Sequence, residues 1–159
     1  MWVIRAGKNG IYHDEYIQKK KVYLAWSGFE NDLSSLTTMN EFREIVIGEK
    51  NTDNQTSVSN WAGQLYSFVI SMMPGDYALI PGVNSQSYSL IRIASKYKFE
   101  RTDNNLHHYH DVEIIDEGIP KGLFPQQILY SLRAYRTVFK TKYTNEILSI
   151  LDKRKEAIR

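Results

Sequence analysis

The sequence predicts an α+β fold in which a small mixed β-barrel of five to six strands is surrounded by helices. Short apolar runs bounded by turn residues alternate with segments of helical periodicity. Most of the runs turn back on their neighbours instead of being joined by long crossovers, which favours a curled sheet over a doubly wound parallel one. The 159 residues fit one domain with a sizeable core.

Strands are predicted where apolar residues alternate or run continuously between turn residues. The first begins at Trp2 and ends in the charge of Arg5, and the second is apolar on both faces, as in a buried strand. Two long runs face each other across the polar tip 101–105 and are predicted to pair in antiparallel fashion. The predicted strands are 2–5, 22–26, 77–81, 87–99, 106–115 and 136–140.

Helices are predicted where apolar residues recur at steps of three and four. The clearest runs from about 57 to 72, because Val58, Trp61 and Leu65 share one face and Pro74 follows its end. The last is amphipathic and ends in a basic cluster. The predicted helices are 12–19, 41–48, 57–72, 125–134 and 144–159.

Composition excludes several classes of protein. Hydrophobic residues are 42% and charged residues 24%, a globular balance, and the net charge of +2 argues against a polybasic tail protein. The absence of cysteine excludes disulfide scaffolds, thiolate zinc sites and cysteine nucleophiles. No apolar run approaches the roughly 20 residues that span a bilayer, and the N-terminus does not resemble a signal peptide. We therefore expect a cytoplasmic protein with no membrane partner.

Enzyme motifs are missing from the sequence. It contains no phosphate-binding Gly-x-x-x-x-Gly-Lys, no Gly-x-Ser-x-Gly turn, no His-Glu-x-x-His and no glutamate followed by the x-Lys step of metal-dependent nucleases. The prediction is a protein that is not an enzyme and carries no cofactor.

One tract suggests a metal site. His108 and His110 share a strand face with His107 beside them, and Asp111 and Glu113 are near enough in sequence to supply a carboxylate. The alternative is that these are exposed polar residues of an edge strand. The sequence favours the edge strand, so no metal site is predicted.

Aromatic residues make up 13% of the chain, and tyrosine is especially frequent. Trp26 ends an apolar strand at a polar loop, Tyr88 opens a long strand after a turn, and Trp61 lies early on the strongest helix. Aromatic walls of this kind hold a nucleobase outside its stack. The alternative is that all three rings are ordinary core, which fits Trp61 best because it follows the apolar stripe of its helix.

Basic residues cluster locally despite the small net charge, and each cluster is a candidate for phosphate contacts. The alternative for each is an ordinary solvated face. The candidates are Lys19, Lys20, Lys21, Lys96, Lys98, Arg101, Arg133, Arg136, Lys140 and Lys142.

The order of several short motifs resembles a known module. Trp-Val-Ile-Arg-Ala-Gly opens the chain, Ala-Trp-Ser follows at 25–27, Ala-Gly-Gln-Leu at 62–65, Pro-Gly-Asp at 74–76, and Arg-Thr-Val-Phe at 136–139. Tyr88 precedes a long strand and His108 lies beyond it. Over roughly residues 2–140 this order is similar to the N-terminal module of modification-dependent and Mrr-like restriction proteins. That module resembles the PUA-like superfamily, which includes the EVE and YTH branches.

The resemblance implies a PUA-like domain over residues 1–142 that binds a modified base in an aromatic pocket, followed by a helical connector over 143–159. Residues 5–7 and Asn9 would form the floor, Ser27 would make a polar contact, and Asp32 would read an amino group. The pocket residues implied are Arg5, Ala6, Gly7, Asn9, Tyr12, Trp26, Ser27, Asp32, Trp61 and Tyr88.

The function implied is a non-catalytic reader that flips a modified, for example methylated, DNA base as part of a restriction or anti-phage system. Its partners would be modified DNA and a nuclease or other effector. Two alternatives stay open: a module for RNA or a modified nucleotide, and a protein-interaction adaptor that docks a partner through the basic helix 144–159.

Overall fold

The computed structural model describes residues 1–158, which form seven strands and five α-helices. The strands are β1 (Trp2–Ile4), β2 (Lys21–Tyr23), β3 (Tyr77–Pro81), β4 (Ser87–Ile93), β5 (Lys98–Phe99), β6 (His108–Pro120) and β7 (Val138–Lys140). The helices are α1 (His13–Lys19), α2 (Met39–Lys50), α3 (Gln55–Tyr66), α4 (Gln126–Leu132) and α5 (Thr144–Ile158).

The strands form one curled mixed sheet in the order β2-β6-β4-β3-β1-β7, with β5 also paired to β6. Only β1 and β3 are parallel among the paired strands of residues 1–158. The first part of the long strand β6 pairs with β2 and β5, and its later part pairs with β4. Within the described chain no ladder joins β7 to β2, so the sheet is a half-barrel. The predicted α+β class and mixed sheet are confirmed.

Two hydrophobic clusters lie on the two faces of the sheet. Successive side chains of β1 alternate between the two clusters, because neighbouring residues of a strand point to opposite faces. Trp2 and Ile4 belong to the larger cluster and Val3 to the smaller. Helices α2 and α3 cover the larger cluster with Phe42, Val46, Val58, Ala62 and Leu65. Helices α4 and α5 cover the smaller one with Ile128, Leu129, Leu132, Ile147 and Leu151.

The helix predicted at 57–72 occupies nearly that range. Asn54 caps it, because its side chain accepts a hydrogen bond from the Ser57 N–H at 3.0 Å. After α3 the helix continues as one π-helical turn over Ser67–Ser71. In that turn the Phe68 carbonyl oxygen lies 2.6 Å from a ring nitrogen of His110. A side chain thus provides the hydrogen-bond partner of a backbone carbonyl in this irregular turn.

Of the predicted strands only 77–81 has the same bounds in the structure, and the run 106–115 extends to Pro120 as β6. The run 87–99 is divided into β4 and β5, since Ala94–Tyr97 leave the ladder between them. The run 22–26 ends as a strand at Tyr23, and Trp26 lies beyond it in irregular backbone. The last two differences follow from tertiary contacts that sequence periodicity does not encode.

Helix α5 packs on the domain instead of leaving it. Its Ile147 and Leu151 are buried in the smaller cluster, and Arg154 forms an ion pair with Asp116 of β6 at 3.0 Å. The described part of the segment predicted as a connector, 143–158, thus shares the core of the domain predicted at 1–142. Arg159, the end of the predicted helix and connector, lies outside the described residues.

Two glycines bring separate turns into contact. Gly10 has a positive φ of 70°, and a Cβ built on it would lie 2.4 Å from the carbonyl oxygen of Gly82. The close approach holds the turn after β1 against the turn that follows β3. Any side chain at Gly10 therefore meets backbone that cannot rotate away.

We predict that Gly10→Ala lowers the free energy of unfolding by about 2 kcal/mol, through strain at positive φ and the clash with backbone. The matched control is Gly48→Ala in α2, where a Cβ meets no atom within 4 Å. That change should stabilise the protein by about 0.5–1 kcal/mol, as expected for alanine in a helix. Urea unfolding followed by circular dichroism measures both. Wild-type stability in Gly10→Ala would show that the two turns are not held together in this way.

Candidate functional site

An open cavity of about 530 Å³ lies where the turn after β1, the segment after β2, helix α3 and the segment before β7 meet. No carboxylate is among the residues that line it. The lining residues are Arg5, Gly7, Lys8, Asn9, Ala25, Trp26, Trp61, Tyr135 and Thr137.

Hydrogen bonds through Thr137 connect the cavity walls. Its N–H donates to the Gln64 side-chain oxygen at 2.8 Å, and its carbonyl accepts from the Arg5 N–H at 2.8 Å. Its hydroxyl oxygen accepts from the indole N–H of Trp26 at 2.9 Å. One residue thus positions β7, the turn after β1 and an aromatic wall relative to one another.

The aromatic wall consists of two indoles and a phenol. Trp26 is 9% exposed, and its ring meets Trp61 edge-to-face with centroids 4.4 Å apart. Trp61 is half-buried, and the Lys50 ammonium lies 4.1 Å from its ring centroid. Tyr135 is 97% exposed at the rim. The cavity therefore has two indoles in mutual contact and one phenol ring that is almost fully exposed to solvent.

The floor depends on unusual backbone conformations. Gly7 has a φ of 75°, and a Cβ there would lie 2.6 Å from the Tyr12 ring, so only glycine lets that ring pack beneath the turn. Asn9 is in the left-handed region with a φ of 56°. Ala6 is fully buried, and its carbonyl accepts from the Tyr12 N–H at 2.9 Å. The turn is supported from within and presents Gly7 and Asn9 to the cavity.

The structure places five of the ten predicted pocket residues in the lining of this cavity. Arg5, Gly7, Asn9, Trp26 and Trp61 line the cavity. Ala6 and Tyr12 support it from behind, and Ser27 is exposed next to Trp26 without lining it.

Tyr88 and Asp32 lie elsewhere, which corrects their predicted roles as cage wall and amino reader. Tyr88 is 1% exposed in the smaller hydrophobic cluster, with its ring centroid 5.5 Å from that of Phe124. The pleat of β4 directs it away from the face that holds Trp26. Asp32 is exposed on a loop, where its carboxylate accepts a hydrogen bond from the Ser34 N–H at 2.9 Å.

The histidine tract is buried, so the interpretation as exposed polar residues of an edge strand is wrong. Strand β6 lies between β4 on one side and β2 and β5 on the other, so it is not an edge. His107 is 3% exposed, and its Nδ1 accepts from the Thr102 N–H at 3.0 Å. The ring nitrogens of His110 lie 2.9 Å from the Ser95 carbonyl oxygen and 2.6 Å from that of Phe68.

His108 belongs to a hydrogen-bonded chain. The Leu33 N–H donates to the Tyr97 hydroxyl, which donates to His108 Nδ1 at 2.6 Å, and His108 Nε2 donates to the Phe29 carbonyl at 2.5 Å. Both ring nitrogens of His108 therefore bind protein groups. Among residues 1–158, no three His, Asp or Glu side chains are grouped as metal ligands.

Three of the predicted phosphate contacts are already paired with carboxylates. The pairs are Lys19 with Glu15 at 2.7 Å, Lys98 with Asp111 at 2.6 Å, and Arg101 with Glu30 at 2.9 Å. Such exposed pairs are weak, but they reduce the positive charge offered to a ligand.

The remaining candidates divide by position. Arg136 and Lys140 line a second cavity that adjoins the first along α3. Lys20, Lys21, Lys96, Arg133 and Lys142 line neither of these two cavities. The predicted cluster at 133–142 is thus only partly placed at the candidate site.

Sequence reasoning missed four lining residues: Lys8, Ala25, Tyr135 and Thr137. Tyr135 could have been found, because an aromatic residue beside an arginine in a loop between helix and strand is typical of binding surfaces. Thr137 had no such signal, since its role depends on hydrogen bonds to distant segments.

The chain belongs to the family described as Domain of unknown function (DUF8426), whose model matches residues 2–133. The match includes the turn after β1, Trp26 and Trp61, and it ends before Tyr135, Thr137 and β7. No curated protein and no solved structure matches the chain. Within residues 1–158, none of the helices combines the length and the apolar character that a membrane crossing requires.

Burial lowers the pKa of both His108 and His110 below the ordinary value of 6.5. Below pH 6.5 these two rings therefore bind protons more readily in the unfolded chain than in the folded protein. The stabilisation is complete above that pH and is lost as the pH falls from 6.5 towards the folded-state pKa values.

We predict that the free energy of unfolding falls between pH 7.5 and 5.5, by up to about 1.4 kcal/mol per pH unit for each of these rings. His108→Gln should be less sensitive to pH over this interval, because one titrating ring is gone. Tyr97→Phe is the control, since it removes the hydrogen bond to His108 Nδ1 but leaves the titrating His108 ring in place. Urea unfolding at several pH values measures the slopes. The same slope in His108→Gln as in wild type would contradict the prediction.

Proposed function

We propose that this protein is a non-catalytic nucleic-acid-binding domain that reads a modified DNA base, taking it out of the stack into the cavity at Trp26 and Trp61. In this proposal it is a PUA-like specificity domain of a restriction or anti-phage system, acts in the cytoplasm and works with a nuclease or other effector. The observation that carries the proposal is the cavity itself, which is open to solvent, walled by indoles and bordered by Arg5 and Lys8.

The energetics of base flipping suit this cavity. Taking a base out of a duplex costs a few kcal/mol, and stacking on aromatic side chains returns about 1–3 kcal/mol per base. Trp61 supplies the accessible indole, and Tyr135 at the rim supplies a second ring. Phosphate contacts from Arg5 and Lys8 must supply the remainder, so affinity should depend steeply on salt.

The polar part of the cavity suits a base edge. The turn at Gly7 and Asn9 offers peptide groups and an amide side chain, and the Thr137 hydroxyl is held by the Trp26 indole. A methyl group on the base would contact the indoles, and one added methyl or methylene in an apolar pocket is worth about 10- to 200-fold in selectivity. Recognition of a methylated base is therefore the first case to test.

The adaptor alternative is less well supported. The apolar face of α5 is occupied, because Ile147 and Leu151 are buried in the smaller cluster. A partner would have to bind the polar face of that helix. Binding of RNA or a modified nucleotide uses the same cavity, and a competition experiment decides between these ligands.

We predict that the protein binds a duplex containing a methylated base at least about tenfold more tightly than the unmodified duplex. Trp61→Ala should lose about 5- to 150-fold of the affinity for the methylated duplex, the equivalent of 1–3 kcal/mol of stacking. Fluorescence anisotropy with labelled duplexes measures both ratios. Trp61 is chosen because it is half-buried, whereas Trp26 is also part of the core.

Tyr135→Ala should weaken binding too, and Tyr130→Ala is its matched control. Tyr130 is 82% exposed on α4 and does not line the cavity. Equal affinity for modified and unmodified duplexes, unchanged by Trp61→Ala, would refute the reading of those bases. Stronger competition by a matched RNA than by DNA would move the proposal to RNA.

A further inference from the structure

A second cavity of about 600 Å³ adjoins the first along α3. Helix α3 and its π turn form one wall, and the segment from Ala134 to Lys140 forms the other. Its lining residues are Trp2, Ser59, Asn60, Gly63, Gln64, Ser67, Ser71, Ala134, Arg136, Val138, Phe139 and Lys140.

The segment before β7 serves both cavities. Tyr135 and Thr137 line the first cavity, whereas residues 138–140 line the second together with Ala134 and Arg136. The two cavities therefore share one short stretch of chain, in which Arg136 lies between two residues that line the first cavity.

The second cavity is positively charged. Arg136 and Lys140 are among its lining residues, and no carboxylate is. Neither cation forms an ion pair within residues 1–158. The Lys140 ammonium lies 4.7 Å from the Trp2 ring centroid, so its side chain is directed along the cavity wall.

Neutral donors accompany this charge. The opposite wall carries the hydroxyls of Ser59, Ser67 and Ser71 and the amide of Asn60. Asn60 is fixed by a hydrogen bond from the Gln64 side-chain amide at 3.3 Å. Hydroxyls, amides and unpaired cations together are the groups that bind phosphate and sugar oxygens in nucleic-acid complexes.

We propose that the second cavity binds the sugar–phosphate backbone of the strand that carries the recognised base, along a path from Trp61 past Arg136 to Lys140. This inference rests on the proposed function and deepens it, since it makes the ligand a polynucleotide and not a free nucleotide. It also adds Arg136 and Lys140 to Arg5 and Lys8 as phosphate contacts beside the base, in place of the lysines near β2 and β5.

The test compares single-stranded oligonucleotides, with and without one methylated base, and the corresponding methylated mononucleotide, by anisotropy competition across a salt series. The wild type should bind the methylated oligonucleotide more than tenfold more tightly than the mononucleotide. In Arg136→Gln/Lys140→Gln, the slope of log affinity against log salt should fall by about 1.4, which is 0.7 for each lost phosphate contact on a single strand. The charge-matched control Lys153→Gln/Lys155→Gln on α5 should keep the wild-type slope.

The outcomes separate this inference from the proposed function. A preserved ratio between methylated and unmodified oligonucleotides in Arg136→Gln/Lys140→Gln supports a backbone site distinct from the base cavity. An unchanged salt slope in that variant overturns the inference, as does a loss of the same size in Lys20→Gln/Lys96→Gln. If the wild type binds methylated and unmodified oligonucleotides equally and the double variant shows the predicted change in salt slope, only the reading of methylated bases is refuted. If no oligonucleotide binds, both the proposed function and this inference are refuted.

Discussion

The arrangement of both cavities depends on the side-chain amide of Gln64. This residue is 8% exposed, and its oxygen accepts the N–H groups of Thr137 and Val138 at 2.8 and 3.1 Å. Buried N–H groups without an acceptor are costly, so these two bonds decide where the chain runs as it enters β7. The direction of that segment then decides which side chains point to each cavity, and Thr137 transmits the same constraint to Arg5 and Trp26.

The charge of the molecule is organised locally. Two lysines and one arginine near β2 and β5 are paired with carboxylates. The cations at the two cavities have no such partner within residues 1–158. Arg5 and Lys8 line the first cavity and Arg136 and Lys140 the second, and both cavities also carry aromatic side chains. This combination gives the proposed ligand both a stacking surface and counter-charges.

Sequence periodicity located most elements because it reports burial directly. Helix α3 was predictable from Val58, Trp61 and Leu65, and β3 from a continuous apolar run. The polarity of the histidine tract predicts exposure, but the sheet covers it on both sides. His108 and His110 are buried since β6 receives partners on both sides. Their ring nitrogens lie within hydrogen-bonding distance of the Tyr97 hydroxyl and of three backbone carbonyls, those of Phe29, Phe68 and Ser95.

The sequence by itself determined the α+β class, the order of the main elements and the candidate aromatic and basic residues, since local periodicity and composition encode these. Only the tertiary structure decided which candidates meet. A period of two separates the faces of a strand without indicating which face borders a cavity, so Tyr88 and Trp26 looked equivalent in sequence and lie in different clusters. Thr137 and Gln64 are 73 residues apart, and their role comes from a contact that no local pattern records.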